Sequence, residues 1–375
     1  MDDPRLLLAE LVATDSVNPD LVPGGAGEAA LGAQVAEWLA ERGLAARTAE
    51  VAPGRVNVVG VARGVGGGRS LLLNAHLDTV GYEGMTDPLA PRVEGDRMYG
   101  RGAYDMKAGL AAIMCAGARA VELGLAGDVI VAAVCDEEYA SVGAHALAEE
   151  VWADAAIVTE PTGDRVRLAV AHKGFTWHRI EVFGVAAHGS RPDEGVDAIV
   201  YAGRVLGGIE ALSADLAARP AHPLLGHGSL HASLIEGGRE LSTYPDRCVL
   251  QLERRTLPGE SREAVEGELQ AILDRLADAD PQFRATLLTT LERPPLGTGL
   301  DEPIVEACKA ALGADVEIVG VPFWADSAVF SAAGIPTVIF GAGGAGAHAA
   351  EEWVDLAQVD RVTEALIAVA TGFCS

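Results

Sequence analysis

Hydrophobic residues follow two different spacings along the chain and predict alternating helices and strands. Apolar residues recur every three or four positions in residues 24–43, and residues 107–124 are rich in Ala; both features favour helices. Short apolar runs bounded by Gly, Asp or Pro favour buried strands. Such runs occupy residues 56–64, 70–80, 128–138, 154–160 and 167–174. Buried strands that alternate with helices are typical of an α/β fold whose mostly parallel sheet is covered on both faces.

The pattern changes at about residue 174. Residues 174–293 are predicted to form strand, helix, strand, strand, helix and strand, which is the order of a ferredoxin-like α+β unit. The alternation of helices and buried strands resumes after residue 294. The sequence therefore predicts an α/β domain in two parts, 1–173 and 294–375, interrupted by an inserted domain at 174–293.

Length and charge narrow the classes of function. A chain of 375 residues is long enough for two domains. Its 28 basic and 54 acidic residues give a net charge of −26, which argues against nucleic acid and anionic membranes as partners. The five cysteines form no C-x-x-C pair, no apolar run approaches the length of a membrane span, and the N-terminus lacks a signal-peptide pattern. We therefore expect a protein of the reducing cytoplasm.

Histidine and carboxylate side chains follow three of the predicted strands. His76 and Asp78 end one strand, Glu137 and Glu138 follow the next, and Glu160 follows a third. Each has an ordinary explanation, because a single His is commonly a surface residue and acidic runs are commonly solvated. However, ligands gather at the carboxyl edge of an open α/β sheet. Consecutive carboxylates at the mouth of a buried strand also repel each other and need a compensating cation.

Two further residues complete a candidate metal centre. Asp105 lies in a Gly-flanked turn before a predicted helix, where it could also act as an N-cap, and His348 follows a Gly-rich turn far along the chain. Mixed His and carboxylate ligands suit zinc, cobalt or manganese. With one bridging carboxylate, such a set can hold two ions about 3.5–4 Å apart.

The order of these motifs resembles the M20 metallopeptidase family, in particular its acetylornithine deacetylases and succinyl-diaminopimelate desuccinylases. The motifs are H-x-D at 76–78, G-x-x-D-M-K-A-G at 102–109, D-E-E at 136–138, E-P-T at 160–162 and a Gly-rich turn ending in Ala-His at 341–348. AHKG at 171–174 and AHGSRP at 187–192 add to the match, which extends to Glu352. The resemblance implies a zinc-exopeptidase-like catalytic domain and an inserted dimerisation domain, and therefore a homodimer.

The resemblance also implies the metal ligands. Asp105 corresponds to the bridging ligand of two divalent ions, with Zn²⁺ favoured over Co²⁺ or Mn²⁺. His76 and Glu160 correspond to the remaining ligands of one ion, and Glu138 and His348 to those of the other.

The same resemblance implies the catalytic groups. Asp78 would orient His76, and Glu137 would be the general base that takes a proton from metal-bound water and passes it to the leaving amine. His188 of the inserted domain would reach the partner's active site and donate to the oxyanion, although a loop His is its ordinary interpretation.

Two further residues are candidate contacts for the substrate. Arg255 corresponds to the residue that binds the substrate carboxylate, for which Arg is suited, although Arg254 lies beside it. Family members usually carry Asn in the segment before D-R-C, whereas this chain has Ser242 at the start of Ser-Thr-Tyr-Pro. A serine hydroxyl lacks the second group of an amide, so the exact substrate is open.

Three functions are consistent with the sequence. The first is a deacylase that releases an amino acid from an N-acyl precursor, as in arginine biosynthesis; it is favoured because Glu160 rather than Asp is typical of the family's deacylases and carboxypeptidases. The second is a metallo-carboxypeptidase or dipeptidase with the same metal centre. The third is a catalytically inactive binding protein, which the presence of Glu137 and of every ligand argues against.

Overall fold

The computed structural model describes residues 2–375 as helices and strands joined by short loops. The helices are α1 (Pro4–Val12), α2 (Ala29–Glu41), α3 (Lys107–Leu123), α4 (Val142–Glu150), α5 (Ala198–Ala218), α6 (Arg262–Ala279), α7 (Pro303–Leu312), α8 (Ser327–Ala332) and α9 (Leu356–Phe373). The strands are β1 (Ala45–Ala52), β2 (Arg55–Ala62), β3 (Leu71–His76), β4 (Arg92–Glu94), β5 (Arg97–Tyr99), β6 (Val129–Val134), β7 (Ala155–Val158), β8 (Leu168–His172), β9 (Gly174–Phe183), β10 (Ser229–Gly237), β11 (Arg247–Thr256), β12 (Arg284–Arg293), β13 (Leu296–Gly297), β14 (Ile318–Val321), β15 (Thr337–Ile339), β16 (Gly344–Ala345) and β17 (Trp353–Asp355).

The chain forms two compact units. The first comprises the described residues up to Val170 together with Thr298–Gly320 and Ala325–Ser375. The second comprises Ala171–Gly297 and Val321–Trp324.

The first unit is built around a large sheet with the strand order β1–β2–β6–β3–β7–β15–β8. Its central strands β6, β3, β7 and β15 run parallel to one another, whereas the pairs outside them are antiparallel. β3 and β6 are buried along their whole length, which explains their continuous apolar sequences. The predicted α/β fold with a mostly parallel central sheet is thereby confirmed.

A small antiparallel sheet of the same unit joins two distant parts of the chain. Its order is β16–β17–β5–β4, and Tyr99 of β5 pairs with Trp353 of β17. The loop that follows β5 and the segment that precedes β17 are therefore neighbours. The sequence prediction did not include these strands, because each has only two or three residues and no apolar run.

The second unit has the predicted order of elements: β9, α5, β10, β11, α6 and β12. Its strands form an antiparallel sheet in the order β10–β11–β9–β12, which is the ferredoxin-like arrangement. The core contains apolar residues of the strands, such as Ile180 and Leu250, and of the helices, such as Val205 and Ile272. β10 lies at an edge of this sheet and is exposed over most of its length.

The sequence patterns also located two helices of the first unit. The residues of α2 and α3 fall within the predicted segments 24–43 and 107–124. β1 was not predicted, because its residues are all at least partly exposed and it has no clear apolar pattern. Among the described residues, no helix is long and apolar enough to cross a membrane.

Candidate metal centre and active site

Three parallel strands bring the first group of candidate residues to one edge of the large sheet. His76 at the end of β3 is in register with Val134 of β6, and Asn74 is in register with Val158 of β7. The loops that leave β6 and β7 therefore begin beside His76. These loops carry Glu137 and Glu138 after β6, and Glu160 after β7.

The small sheet supplies the other two candidate ligands. Asp105 lies in the loop between β5 and α3, and His348 lies in the turn between β16 and β17. Asp105 is not an N-cap, because Met106 occupies that position and α3 has no side-chain cap. Its carboxylate instead faces two imidazoles. His348 has a φ of +61°, a left-handed conformation that costs a non-glycine residue free energy and is often found at functional sites.

Asp105 lies between the two histidines. Its Oδ1 is 3.3 Å from Nε2 of His76, and its Oδ2 is 3.3 Å from Nε2 of His348. Nε2 of His76 is also 3.6 Å from Oε1 of Glu160, whereas Nε2 of His348 is 3.1 Å from Oε2 of Glu138. The five side chains thus separate into two groups that share Asp105.

Two sets of donor atoms lie close enough to hold an ion. The atoms of His76, Glu137 and Glu160 lie within 4.8 Å of one another, and so do those of His76, Asp105 and Glu138. Glu137, predicted as a base outside the ligand set, therefore lies within reach of an ion.

His76 is oriented by the backbone of Asp78 rather than by its carboxylate. Nδ1 of His76 is 2.8 Å from the Asp78 carbonyl oxygen and 3.7 Å from the Asp78 carboxylate. The Asp78 carboxylate instead accepts hydrogen bonds from the backbone N–H groups of Glu137 and Glu138. Asp78 therefore connects the end of β3 to the loop that carries the two glutamates.

Burial and mutual repulsion raise the pKa values of the clustered carboxylates. Burial, followed by the charge of Glu160, raises the pKa of Glu137 well above its usual value. Burial, followed by the charge of Asp105, raises the pKa values of Glu138 and Glu160. Clustered, buried carboxylates are stabilised when a cation binds between them.

The histidines and Asp105 favour their charged forms. Hydrogen bonds to Asp105 and Glu138 raise the pKa of His348 to about 10. Burial tends to lower the pKa of His76, but its contacts with Asp105 and Glu160 outweigh burial and raise it. Burial opposes ionisation of Asp105, yet hydrogen bonds from the two histidines lower its pKa. A metal ion bound at the imidazole nitrogens would replace their protons.

The donor set fits divalent ions. Oε1 of Glu138 is buried and has no hydrogen-bond partner among residues 2–375. A buried carboxylate oxygen is rarely left unsatisfied, and an ion would satisfy it. Imidazole nitrogens and carboxylate oxygens are also the ligands that catalytic zinc sites use.

Buried polar residues behind the centre were not identified from the sequence. Nδ2 of Asn18 donates to the carboxylates of Asp78 at 2.7 Å and Asp136 at 3.0 Å. Arg55 pairs with Asp136 and with Glu28, and all of these side chains are nearly inaccessible to solvent. Asn18 lies in a V-N-P turn, a signal that indicates a loop but not what the loop contacts.

A second set, Arg101 and Glu352, supports the loop of Asp105. The Glu352 carboxylate accepts the backbone N–H of Asp105, and Arg101 pairs with Glu352 at 2.6 Å. In the sequence, these two residues lie beside the recognised motifs but outside the predicted set of site residues.

His188 and Ser242 lie side by side in the second unit. The N–H of Gly189 donates to the Ser242 carbonyl, and His188 forms a backbone bridge with Thr243. His188 is exposed, and its Nδ1 contacts the Ser190 hydroxyl at 2.8 Å. Two residues that were predicted separately thus belong to one surface.

The structure distinguishes the two neighbouring arginines of β11. Arg254 is buried and pairs with Glu260 at 2.6 Å, so its guanidinium is already used within the unit. Arg255 is partly exposed, pairs with Glu253, and lies over the ring of Phe175. Arg255 is therefore the more available of the two for a ligand.

Comparisons with known proteins identify the family. Residues 72–371 match the sequence model of Peptidase family M20/M25/M40. The acetylornithine deacetylase of Myxococcus xanthus is 32% identical over 382 residues, covering 99% of this chain and 97% of that protein. The predicted family resemblance is thereby confirmed.

Solved structures share the fold. The aminopeptidase PepT from Bacillus cereus ATCC 10987 has a TM-score of 0.81 at 20% identity, covering 100% of this chain and 98% of that chain. The YXEP protein of Bacillus subtilis, a dinuclear metal binding peptidase, has a TM-score of 0.76 at 16% identity, covering 99% of this chain and 97% of that chain. The chain therefore belongs to Peptidase family M20/M25/M40, and it is a metal-dependent hydrolase that acts on amide bonds.

Proposed function

We propose that the protein is a two-metal amidohydrolase that removes the acyl group from an N-acyl amino acid, as an acetylornithine deacetylase does. The observation that carries this proposal is the arrangement of Asp105 between His76 and His348, with a glutamate beside each imidazole. The similarity to the acetylornithine deacetylase of Myxococcus xanthus over nearly the full length of both chains supports the substrate class.

The contacts support the predicted division of ligands. Asp105, His76 and Glu160 would hold one ion, and Asp105, Glu138 and His348 the other, with Zn²⁺ favoured and Co²⁺ or Mn²⁺ as alternatives. When bound, the ions supply Lewis acidity, which polarises the scissile carbonyl and makes water more acidic.

Glu137 is proposed as the proton carrier. Burial, followed by the charge of Glu160, raises the pKa of Glu137, which favours uptake of a proton by its carboxylate. Its backbone is fixed by the hydrogen bond to Asp78. Glu137 would accept a proton from the attacking water and donate it to the nitrogen of the leaving amine. Acyl group and amino acid would then separate as a carboxylate and a free amine.

The second unit is proposed to supply the remaining contacts. In a homodimer, His188 of one protomer would reach the active site of the partner and donate a hydrogen bond to the oxyanion. Ser242, which lies beside His188, would contact the substrate. Arg255 would bind the carboxylate of the amino acid, for which a guanidinium offers two parallel donors.

We further propose a homodimer that forms through β10. This edge strand exposes Leu234 by 60% and Ile235 by 59%, and the adjoining helix α5 exposes Val200 by 56%. An exposed apolar edge strand is a template for pairing with a second copy. Light scattering should give a mass of two chains, and Leu234→Lys with Ile235→Lys should shift it to one chain. A wild-type protein that stays at one chain would exclude the dimer.

A dipeptidase or carboxypeptidase activity is the alternative, since solved peptidases share the whole fold. A panel of N-acetyl-ornithine, other N-acyl amino acids, succinyl-diaminopimelate and dipeptides separates the two reactions by amine release. Each acyl amino acid is paired with its α-carboxamide, which lacks the charge that Arg255 would bind. We expect turnover of an acyl amino acid and at least tenfold slower turnover of its carboxamide. Preference for dipeptides would contradict the deacylase assignment.

A further inference from the structure

The loop that carries Asp105 is organised around a single buried carboxylate, that of Glu352. This loop, residues 100–106, connects β5 to α3 and is almost entirely buried. Buried backbone N–H groups need hydrogen-bond partners. The loop satisfies only some of them itself, as when the N–H of Ala103 donates to the Gly100 carbonyl.

Glu352 accepts four hydrogen bonds from this loop. Its Oε1 accepts the backbone N–H groups of Tyr104 at 2.8 Å and Asp105 at 3.0 Å. Its Oε2 accepts the N–H of Gly102 at 3.0 Å and a guanidinium N–H of Arg101 at 2.6 Å. A carboxylate has about four acceptor positions, so this one is saturated. The side chain of Glu352 is fully inaccessible to solvent.

Arg101 extends the arrangement to the other imidazole ligand. Besides pairing with Glu352, it donates to the carbonyl of Ala349 at 2.9 Å and to that of Gly81 at 3.1 Å. Ala349 directly follows His348. The guanidinium therefore connects the segment of His348 to the loop of Asp105. Nε2 of His348 lies 3.3 Å from Oδ2 of Asp105.

From these contacts we infer that Glu352 and Arg101 are positioning residues that hold Asp105 and His348 at the separation required to bind metal. The inference rests on the proposed function, because it takes Asp105 and His348 as ligands. Neither positioning residue contacts the reacting atoms: Glu352 acts through the backbone of Asp105, and Arg101 through the backbone of Ala349.

The substitution Glu352→Gln tests this role. The amide has the volume of the carboxylate, but its NH₂ group would face N–H donors, so about half of the hydrogen bonds are lost. Residues that orient metal ligands typically change metal affinity by about 10–100-fold when substituted. The matched control is Glu351→Gln, the same change at the preceding residue, which is exposed.

The measurement is titration of chelator-stripped protein with Zn²⁺ or Co²⁺ by calorimetry, alongside circular dichroism and thermal unfolding without metal. We expect Glu352→Gln to bind the ion at least 10-fold more weakly than wild type and the Glu351→Gln control to match wild type. A Glu352→Gln protein that unfolds at a lower temperature but binds metal as tightly as wild type would show a structural role only, and would overturn the inference.

A second variant keeps the test decisive if Glu352→Gln does not fold. Arg101→Lys retains the charge, but one ammonium nitrogen would have to replace the separate guanidinium nitrogens that bond Glu352, the Ala349 carbonyl and the Gly81 carbonyl. We expect a similar loss of metal affinity, and unchanged affinity would overturn the inference. Wild-type protein that binds metal without cleaving any acyl amino acid would refute only the proposed substrate. Wild-type protein that binds no divalent ion would refute both.

Discussion

Glu137→Gln separates two roles that the geometry of the site allows for this residue. Glu137 lies within reach of an ion together with His76 and Glu160, and it has a strongly raised pKa. Glutamine keeps the shape of the side chain but cannot accept a proton. If Glu137 is the base, the variant should lose most of its catalytic rate but still bind its metal ions.

The expected size of the effect follows from general acid–base catalysis. A positioned base contributes about 10²–10⁴-fold in rate, which corresponds to about 3–5 kcal/mol of transition-state stabilisation. Glu137 would carry the proton both from water and to the amine, so we expect a loss at the upper end of this range.

The assay combines amine release with metal content, and Glu138→Gln serves as the contrasting variant. Glu138 contacts His348 at 3.1 Å and has a buried, unsatisfied oxygen in the described part of the chain, so its substitution should weaken metal binding. Glu137→Gln should bind two ions with wild-type affinity. A rate within tenfold of wild type, or the loss of one ion, would refute the role of Glu137 as base.

Three further perturbations test other parts of the site. Asn18→Ala should remove one hydrogen-bond donor from each of the buried carboxylates of Asp78 and Asp136 and lower the free energy of unfolding by about 1–3 kcal/mol; urea unfolding at wild-type stability would contradict this. His188→Ala should lower kcat by about 10²–10³, the effect of losing an oxyanion donor, whereas an unchanged kcat would make His188 structural. The rise in melting temperature on adding metal should grow with pH. Because the pKa of His348 is raised to about 10, the stability that its proton provides to the metal-free protein is complete below its usual value and is lost as pH rises towards 10. The metal must displace that proton, so it binds better as pH rises. A metal-induced shift that shrinks between about pH 6 and pH 8 would contradict this account.

The sequence predicted those parts of the site that follow directly from strands. Three neighbouring parallel strands are followed by, or end in, His76, Glu138 and Glu160. A buried apolar run followed by a polar ligand residue can be recognised in the sequence alone. The sequence leaves two roles open for Asp105, because an acidic residue before a helix is commonly an N-cap. The structure excludes that role, because Met106 is the N-cap of α3 and the Asp105 carboxylate faces the two histidines.

The supporting residues could not be predicted from the same patterns. The contacts of Glu352 depend on the pairing of β5 with β17, strands of three residues each that are about 250 positions apart in the chain. Asn18 is an ordinary turn residue until the fold places it between two buried carboxylates. The proximity of His188 and Ser242 likewise arises from a backbone bridge that leaves no periodic signal.

The most direct test of the central claim is amine release from N-acetyl-ornithine and related N-acyl amino acids by chelator-stripped protein, before and after addition of Zn²⁺ or Co²⁺. The account predicts no release by the stripped protein and full activity when two ions per chain are restored. Release that is unaffected by removing and restoring the metal would contradict it.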